Sequence, residues 1–195
     1  MQLNIYLLSH PVIQKLANEV NNHYQISRKE YDENNKKLGL LIIYETIRKW
    51  INIKNIYIKQ IDHFKKFCIL GEYENYLIIT DLIENYNIVS DISILLPEAN
   101  IQHTSLNYLE KNFNFNIKYN TILNKGVKNV QKIIILKKSL DNYPIIYLLD
   151  YLILIRQHPI NQIKIVCLTC QQRILERINE KHPEIQIYTT QIKKH

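Results

Sequence analysis

Apolar positions along the chain follow two rhythms, a helical one of about 3.6 residues and a strand one of two, and their alternation predicts an α/β fold. His10-Pro11 opens a helical stretch with Val12, Leu16 and Val20 on one face. Ser27 and Glu30 have the spacing of a capping box, and a long helix toward Trp50 follows. Ile53 to Ile61 alternates apolar and polar residues as a half-exposed strand does. From there strands and helices take turns. Tyr76–Thr80 reads as a short buried strand, Ile83–Leu96 as a helix and Ala99–His103 as a short strand. Val130–Leu136 reads as a strand, and Pro144 opens a helix toward Gln157. Ile163–Thr169 is a strand, Gln171–Lys181 a helix and Ile185–Thr189 a last strand. Such alternation predicts a mainly parallel sheet covered on both faces. Asn107–Asn129 is polar and weakly patterned, which predicts a protruding hairpin or loop.

No internal repeat and no Pro/Gly/Ser-rich linker divides the 195 residues, so one domain over 1–195 is expected. Residues 1–50 would supply N-terminal helices and residues 51–195 the α/β core. Apolar residues make up 46% of the chain and charged ones 22%, which excludes the disordered class. The longest apolar runs, such as Ile145-Ile146-Tyr147-Leu148-Leu149, are too short to span a bilayer. The first eight residues lack the basic n-region and cleavage pattern of a signal peptide, so none is expected.

Three cysteines argue against a disulfide framework and for a reducing compartment. Cys167-Leu168-Thr169-Cys170 has the C-x-x-C form of half a zinc site or a redox pair. It falls in a predicted strand, however, where positions three apart face opposite ways, and the expected role is structural.

The net charge is +7, unevenly spread. Between Glu110 and Asp141 there is no carboxylate, while Lys111, Lys118, Lys125, Lys128, Lys132, Lys137 and Lys138 all fall there. That distribution suits an anionic partner, phosphate or nucleic acid, and equally a solvated surface. Glycine is scarce, while asparagine, isoleucine, lysine and tyrosine abound, which points to an AT-rich genome such as an organelle's.

Several of these stretches share their order and spacing with one enzyme family. His10-Pro11-Val12-Ile13, Ile26-Ser27 and Leu38-Gly39-Leu40-Leu41-Ile42-Ile43-Tyr44-Glu45 stand where that family has H-P-L-V, I-S and G-x-L-L-x-Y-E. Pro97-Glu98-Ala99-Asn100-Ile101 matches P-x-A-x-I. Ile163-Lys164-Ile165-Val166 and His182-Pro183-Glu184-Ile185-Gln186-Ile187-Tyr188-Thr189 match I-K-V-x and H-P-D-V-x-x-Y-T. The chain thus resembles the uracil phosphoribosyltransferases. The resemblance implies a type I phosphoribosyltransferase-like fold: a parallel sheet with flanking helices, N-terminal helices packed alongside, and a protruding arm used for homodimer formation. Active members transfer ribose 5-phosphate from phosphoribosyl pyrophosphate to uracil, giving UMP and pyrophosphate.

The resemblance also shows where this chain departs. The family's 5′-phosphate cradle, D-P-x-L-A-T-G-G-S, uses small residues so that backbone N–H groups can close on phosphate. Lys137-Lys138-Ser139-Leu140-Asp141-Asn142-Tyr143-Pro144-Ile145 stands there, without glycine and with Pro144 removing a donor. The pyrophosphate loop, P-x-L-R-A-G-x-G-M, becomes Thr80-Asp81-Leu82-Ile83-Glu84-Asn85-Tyr86-Asn87-Ile88. Ile83 replaces its arginine, and Asp81 and Glu84 would repel pyrophosphate unless a metal bridged them. The closing uracil-binding segment of the family has no counterpart after Gln191-Ile192-Lys193-Lys194-His195.

Other residues suit structural roles. His182-Pro183 sets the turn before the last strand, and Trp50 and Tyr44 are expected in or near the core. His10, His23, His63, His103 and His158 lack metal-ligand spacing. No catalytic, cofactor-binding or metal-binding residue is assigned, and no cofactor is expected. The first functional expectation is a pseudoenzyme homologue acting as an interaction or regulatory module in the plastid stroma, organelle-encoded, homodimeric and without a membrane span, with a protein as partner. The second is a nucleic-acid-binding regulator using residues 111–138, where Lys125, Lys128, Lys132 and Lys138 with Phe113, Phe115 and Tyr119 could form a basic aromatic surface. The third is a residual phosphoribosyltransferase of pyrimidine salvage.

Overall fold

Buried apolar runs build a sheet, and the helices between them cover it. The computed structural model describes residues 3–22, 24, 26–71, 74–104 and 132–194. Six strands lie in the order β1 (Asn4–Leu7), β8 (Gln186–Lys193), β7 (Ile163–Gln171), β6 (Lys132–Leu140), β4 (Tyr76–Thr80) and β5 (Asn100–His103). Every neighbouring pair is parallel. The three central strands carry continuous apolar runs, such as Ile133-Ile134-Ile135-Leu136, because both of their faces are covered. The predicted parallel alignment of Tyr76–Thr80, the Val130 strand and the Ile163 strand is therefore found, as β4, β6 and β7.

Two cores sandwich the sheet. On one face Ile78, Ile134, Leu136 and Val166 meet helices α1 (Pro11–Asn21), α2 (Arg28–Ile47) and α3 (Leu82–Val89). On the other, Ile133, Ile135, Ile163 and Ile165 meet α4 (Pro144–Asp150) and α5 (Gln172–Lys181). α1 starts with Pro11 at a position where its missing N–H is harmless, and His10 Nδ1 accepts from Val12 N at 3.3 Å. Its buried face carries Ile13, Leu16, Ala17 and Val20; Val12, expected there, is exposed. Ser27 Oγ caps α2 by accepting from Glu30 N at 3.2 Å, half of the expected capping box. Gly39 lets α2 touch α3 backbone to backbone: a Cβ there would lie 2.0 Å from the carbonyl oxygen of Ile88.

Several expectations are corrected. The Ile53 strand is half of an antiparallel hairpin, β2 (Ile53–Lys59) with β3 (Phe64–Leu70), which forms its own two-stranded sheet. Every position of β2 is exposed rather than alternate ones, because among the described residues no layer packs on either side of the hairpin. The helix from Ile83 ends at Val89, and a 3₁₀ turn at Ile92–Ile94 follows. The helix from Pro144 ends at Asp150 and widens into a π turn, Tyr151–Ile155, closed by Arg156 N donating to Tyr151 O at 3.0 Å. Tyr44 is half exposed on α2. The hairpin or loop expected at Asn107–Asn129 lies outside the described residues. None of the described helices is long and apolar enough to cross a membrane.

One correction concerns the C-x-x-C pair. Registered pairs along β6, β7 and β8 skip Lys138, Leu168 and Thr190 together. The hydroxyls of Thr189 and Thr190 donate to Leu168 O instead, at 3.2 and 2.6 Å. The alternation slips by one residue at this kink, so Cys170 joins Cys167 in the same core cluster instead of facing away from it. Cys170 Sγ donates to Gln191 O at 3.6 Å.

Candidate functional site at the carboxyl ends of the strands

Open parallel sheets bind ligands outside the carboxyl ends of their strands, where the strand order reverses. Here the chain leaves β4 for β5 on one side and returns to β6 on the other, which puts the switch between β4 and β6. The two segments flanking this crevice are those that correspond to the phosphate cradle and the pyrophosphate loop.

At the end of β4, Asp81 caps α3: its Oδ1 accepts from Ile83 N at 3.0 Å. His103, at the end of β5, accepts from Leu82 N through Nδ1 at 3.0 Å. That nitrogen is therefore unprotonated, and its 3.8 Å approach to Asp81 Oδ1 is not an ion pair. Glu84, Asn85, Tyr86 and Asn87 all lie within α3, in the helix expected from Ile83, so a helix stands where the resemblance would put the pyrophosphate loop. Asp81 and Glu84 lie on its first turn, and among the described residues no three His, Cys, Asp or Glu side chains gather closely enough to hold a metal ion.

At the end of β6 the ladder continues where a cradle would open. Lys137, Ser139 and Leu140 pair with Cys167, Thr169 and Cys170 of β7. Thr169 Oγ1 donates to Ser139 Oγ at 3.2 Å. Tyr143 is already helical, at φ −64° and ψ −23°, and Pro144 begins α4. Among the described residues the only left-handed backbone is at Gln157, away from both segments. A backbone nest needs consecutive N–H groups converging on one point, and Pro144 breaks any such run at this turn.

A cavity of about 370 Å³ lies elsewhere, beside Tyr6 and Tyr188, while the one at this edge measures about 460 Å³. Glu84, Lys138, Ser139, Asp141, Thr169 and Lys193 are among the residues that line it. Two cations and two carboxylates leave it close to neutral. Lys138 Nζ donates to Tyr31 OH at 2.7 Å, and Arg173 Nη2 donates to Asp141 O at 3.3 Å. Lys137 is buried beside Asp141, Glu84 and Asp81; burial holds its pKa below the usual lysine value although those carboxylates pull upward.

The basic aromatic surface is mostly beyond view: Lys125, Lys128, Phe113, Phe115 and Tyr119 lie outside the described residues. Lys132 is not available to such a surface. Its Nζ is buried and donates to Glu74 at 2.7 and 2.8 Å and to Trp50 O. A strand-end lysine in an apolar run looks like surface charge in a sequence, and only the fold shows the carboxylate waiting for it.

That ion pair belongs to a network the sequence does not announce. Burial raises the pKa of Glu74, but hydrogen bonds from Lys132 and Tyr76 outweigh it, and the carboxyl lies below its ordinary range. Two ammonium groups approach the Trp50 ring, Lys132 at 5.6 Å and Lys164 at 4.5 Å from its centre. Lys164 donates to Thr46 O and Tyr188 OH, at 3.0 and 3.1 Å, and burial with the repulsion of Lys132 lowers its pKa to about 8. This network lies at the amino ends of β4, β6 and β7, on the far side of the sheet from the crevice. His182 works as expected: its carbonyl accepts from Ile185 N, and its ring pairs with Asp150 at 2.7 Å.

No family model matches the chain. A "Uracil phosphoribosyltransferase homolog" of Porphyra purpurea is 29% identical over 195 residues, covering 98% of this chain and 89% of that protein. One of Pyropia yezoensis with the same name is 29% identical over 199 residues, with the same coverage. Among solved structures, that of the AQ2163 protein from Aquifex aeolicus superposes with a TM-score of 0.69 at 19% identity. It covers 98% of this chain and 88% of that one, and the likeness shows a shared α/β fold.

Proposed function

We propose that this chain, a homologue of the red-algal uracil phosphoribosyltransferase homologues, is a pseudoenzyme that acts as an interaction or regulatory module of the plastid stroma. The observation carrying this reading is the β6 ladder. Residues 137–140, which correspond to the start of the phosphate cradle, are paired with β7 as strand, and Tyr143-Pro144 follows directly as helix. Phosphoryl-bearing substrates are held by backbone N–H groups at a helix N-terminus. Here Pro144 contributes no N–H, and the cavity beside it is lined by carboxylates as well as lysines. The helical α3 in place of a pyrophosphate loop supports the same conclusion.

Purified protein incubated with labelled uracil, phosphoribosyl pyrophosphate and magnesium is expected to form no UMP above background. Turnover on the order of 1 s⁻¹, usual for enzymes, would overturn the pseudoenzyme reading.

The module is a homodimer in this reading; the arm expected within residues 111–138 lies mostly outside the described residues, and the β2–β3 hairpin adds a second contact surface. Ile56, Ile58, Phe67 and Ile69 are exposed on one face of that hairpin, an apolar surface that a monomer in water has reason to cover. Light scattering should give the mass of two chains, and the double substitution Ile56→Ser, Phe67→Ser should give one. A monomeric parent, or a dimer untouched by the double variant, would refute this assignment.

A further inference from the structure

The cavity of about 370 Å³ at the β1 edge of the sheet has no part in the reading above. β1 is the outermost strand on that side among the described residues, and all its positions are exposed. Tyr6 and Leu8 are two residues apart along the chain, so both side chains point toward the sheet face that α1 and α2 cover. Nearby α2 ends, with Glu45 in its last turn and Arg48 and Lys49 just beyond it. The cavity lies between these two segments.

One wall is aromatic. Tyr6 and Tyr188 stand opposite each other in the β1–β8 register, and their rings stack with centroids 4.7 Å apart and planes inclined by 17°. Lys164 Nζ fixes the inner ring by donating to the Tyr188 hydroxyl at 3.1 Å. Tyr6 is 43% exposed: part of its ring lies on Tyr188 and the rest meets the cavity and solvent. Leu8 and Ile13, both buried, make the floor apolar.

The other wall is basic. Arg48 and Lys49 line the cavity against a single carboxylate, Glu45, which Arg48 engages at 3.2 Å. Lys49 has no ion pair among the described residues, so this wall keeps one unbalanced positive charge. Cations suit the carbonyl end of α2 whatever lies beside them. That accounts for Arg48 and Lys49, but not for an open tyrosine stack that shares a cavity with them.

A flat aromatic wall, an apolar floor and a cationic edge select a ligand that is planar at one end and anionic at the other. The volume sits at the low end of the roughly 300–1,000 Å³ typical of small-molecule sites, which suits one nucleotide rather than two. We infer that this cavity binds a nucleoside monophosphate, with its base stacked on Tyr6, its phosphate at Lys49 and Arg48, and a sugar hydroxyl donating to Glu45. Every base has a π face, so the site selects the class and not one base. A free nucleotide and a nucleotide unit of single-stranded RNA offer the same chemistry. Two strands, β8 and β7, separate β1 from the crevice strands β6 and β4, so the inference holds whether or not the crevice is active.

The test titrates the full chain with AMP in low-salt buffer and reads binding by isothermal calorimetry. One AMP per chain is expected, with adenosine weaker by about tenfold because it lacks the charge. Tyr6→Ala should weaken AMP by about tenfold, while Tyr6→Phe, which keeps the ring, should stay within about twofold of the parent. Lys49→Glu, at an exposed position, should cost about tenfold. Circular dichroism checks that each variant is folded. A short oligoadenylate that binds tighter than AMP identifies RNA as the source, and one that binds no tighter identifies the free nucleotide. Three results would overturn the site: no saturable heat with AMP, an affinity unchanged in both Tyr6→Ala and Lys49→Glu, which would put any binding elsewhere, or a loss in Tyr6→Phe as large as in Tyr6→Ala.

Discussion

Lys164 shows how a single side chain links burial to pH. Its ammonium is buried with a backbone carbonyl, a phenol and the Trp50 ring for company, and with no carboxylate bonded to it among the contacts described above. The folded value of about 8 lies below the unfolded value of about 10.4. Between these two pH values the unfolded chain binds the extra proton, so folding stability rises as pH rises through this window. The slope should approach 1.4 kcal/mol per pH unit at most, and Lys164→Met should flatten it. Urea denaturation at pH 7, 8, 9 and 10 measures both proteins. A parent profile that is flat or falls over this range contradicts the assignment.

Among the elements, α2 and α3 depend on one missing methyl group. Gly39 allows the Ile88 carbonyl to approach where a Cβ would stand at 2.0 Å, a distance no side chain tolerates. Gly39→Ala should gain slightly in helix propensity, by about 1 kcal/mol, and lose more because α3 must move away from α2. The expected net destabilisation is about 1–3 kcal/mol, read as a lowered denaturation midpoint at unchanged slope. An alanine variant as stable as the parent would show that the helices are not in backbone contact. The same pair of helices carries Asp81 and Tyr31 to the crevice, so this contact also sets the width of the candidate site.

For the whole molecule, the sheet and the proposed pseudoenzyme reading rest on the same ladder. β6 continues to Leu140 because its residues from Ile133 onward, Lys138 excepted, find partners on β7, and a strand paired this far is not a loop around phosphate. Placing glycine at Tyr143 and Pro144 alone should therefore leave the protein without UMP synthesis, since residues 137–140 remain in the sheet. Thermal scans with and without phosphoribosyl pyrophosphate extend the assay: no shift is expected in the parent or the glycine variant. A stabilisation that grows with ligand concentration would reveal a binding site that the ladder argument excludes.

Element type and order were legible in the sequence wherever one rhythm held over several residues. Tyr76–Thr80, the Ile133 run and Ile163–Thr169 could be little other than buried strands, and Pro144 and Ser27 marked helix starts through local chemistry alone. The absence of glycine from both phosphate-binding segments was equally plain, because backbone nests need residues without side chains. Tertiary structure decided what depends on partners distant in the chain. Lys132 became half of a buried ion pair because Glu74 reached it from 58 positions away. β3 appeared because β2 stood beside it with matching register, although Phe64–Leu70 has no alternating face of its own. Cys167 and Cys170 entered the same core cluster because the alternation slips at Leu168, whose carbonyl accepts from hydroxyls of β8. A sequence carries its local periodicities within reach of one turn or one strand, whereas register, charge pairing and strand kinks are settled only when separate segments compete for the same hydrogen bonds.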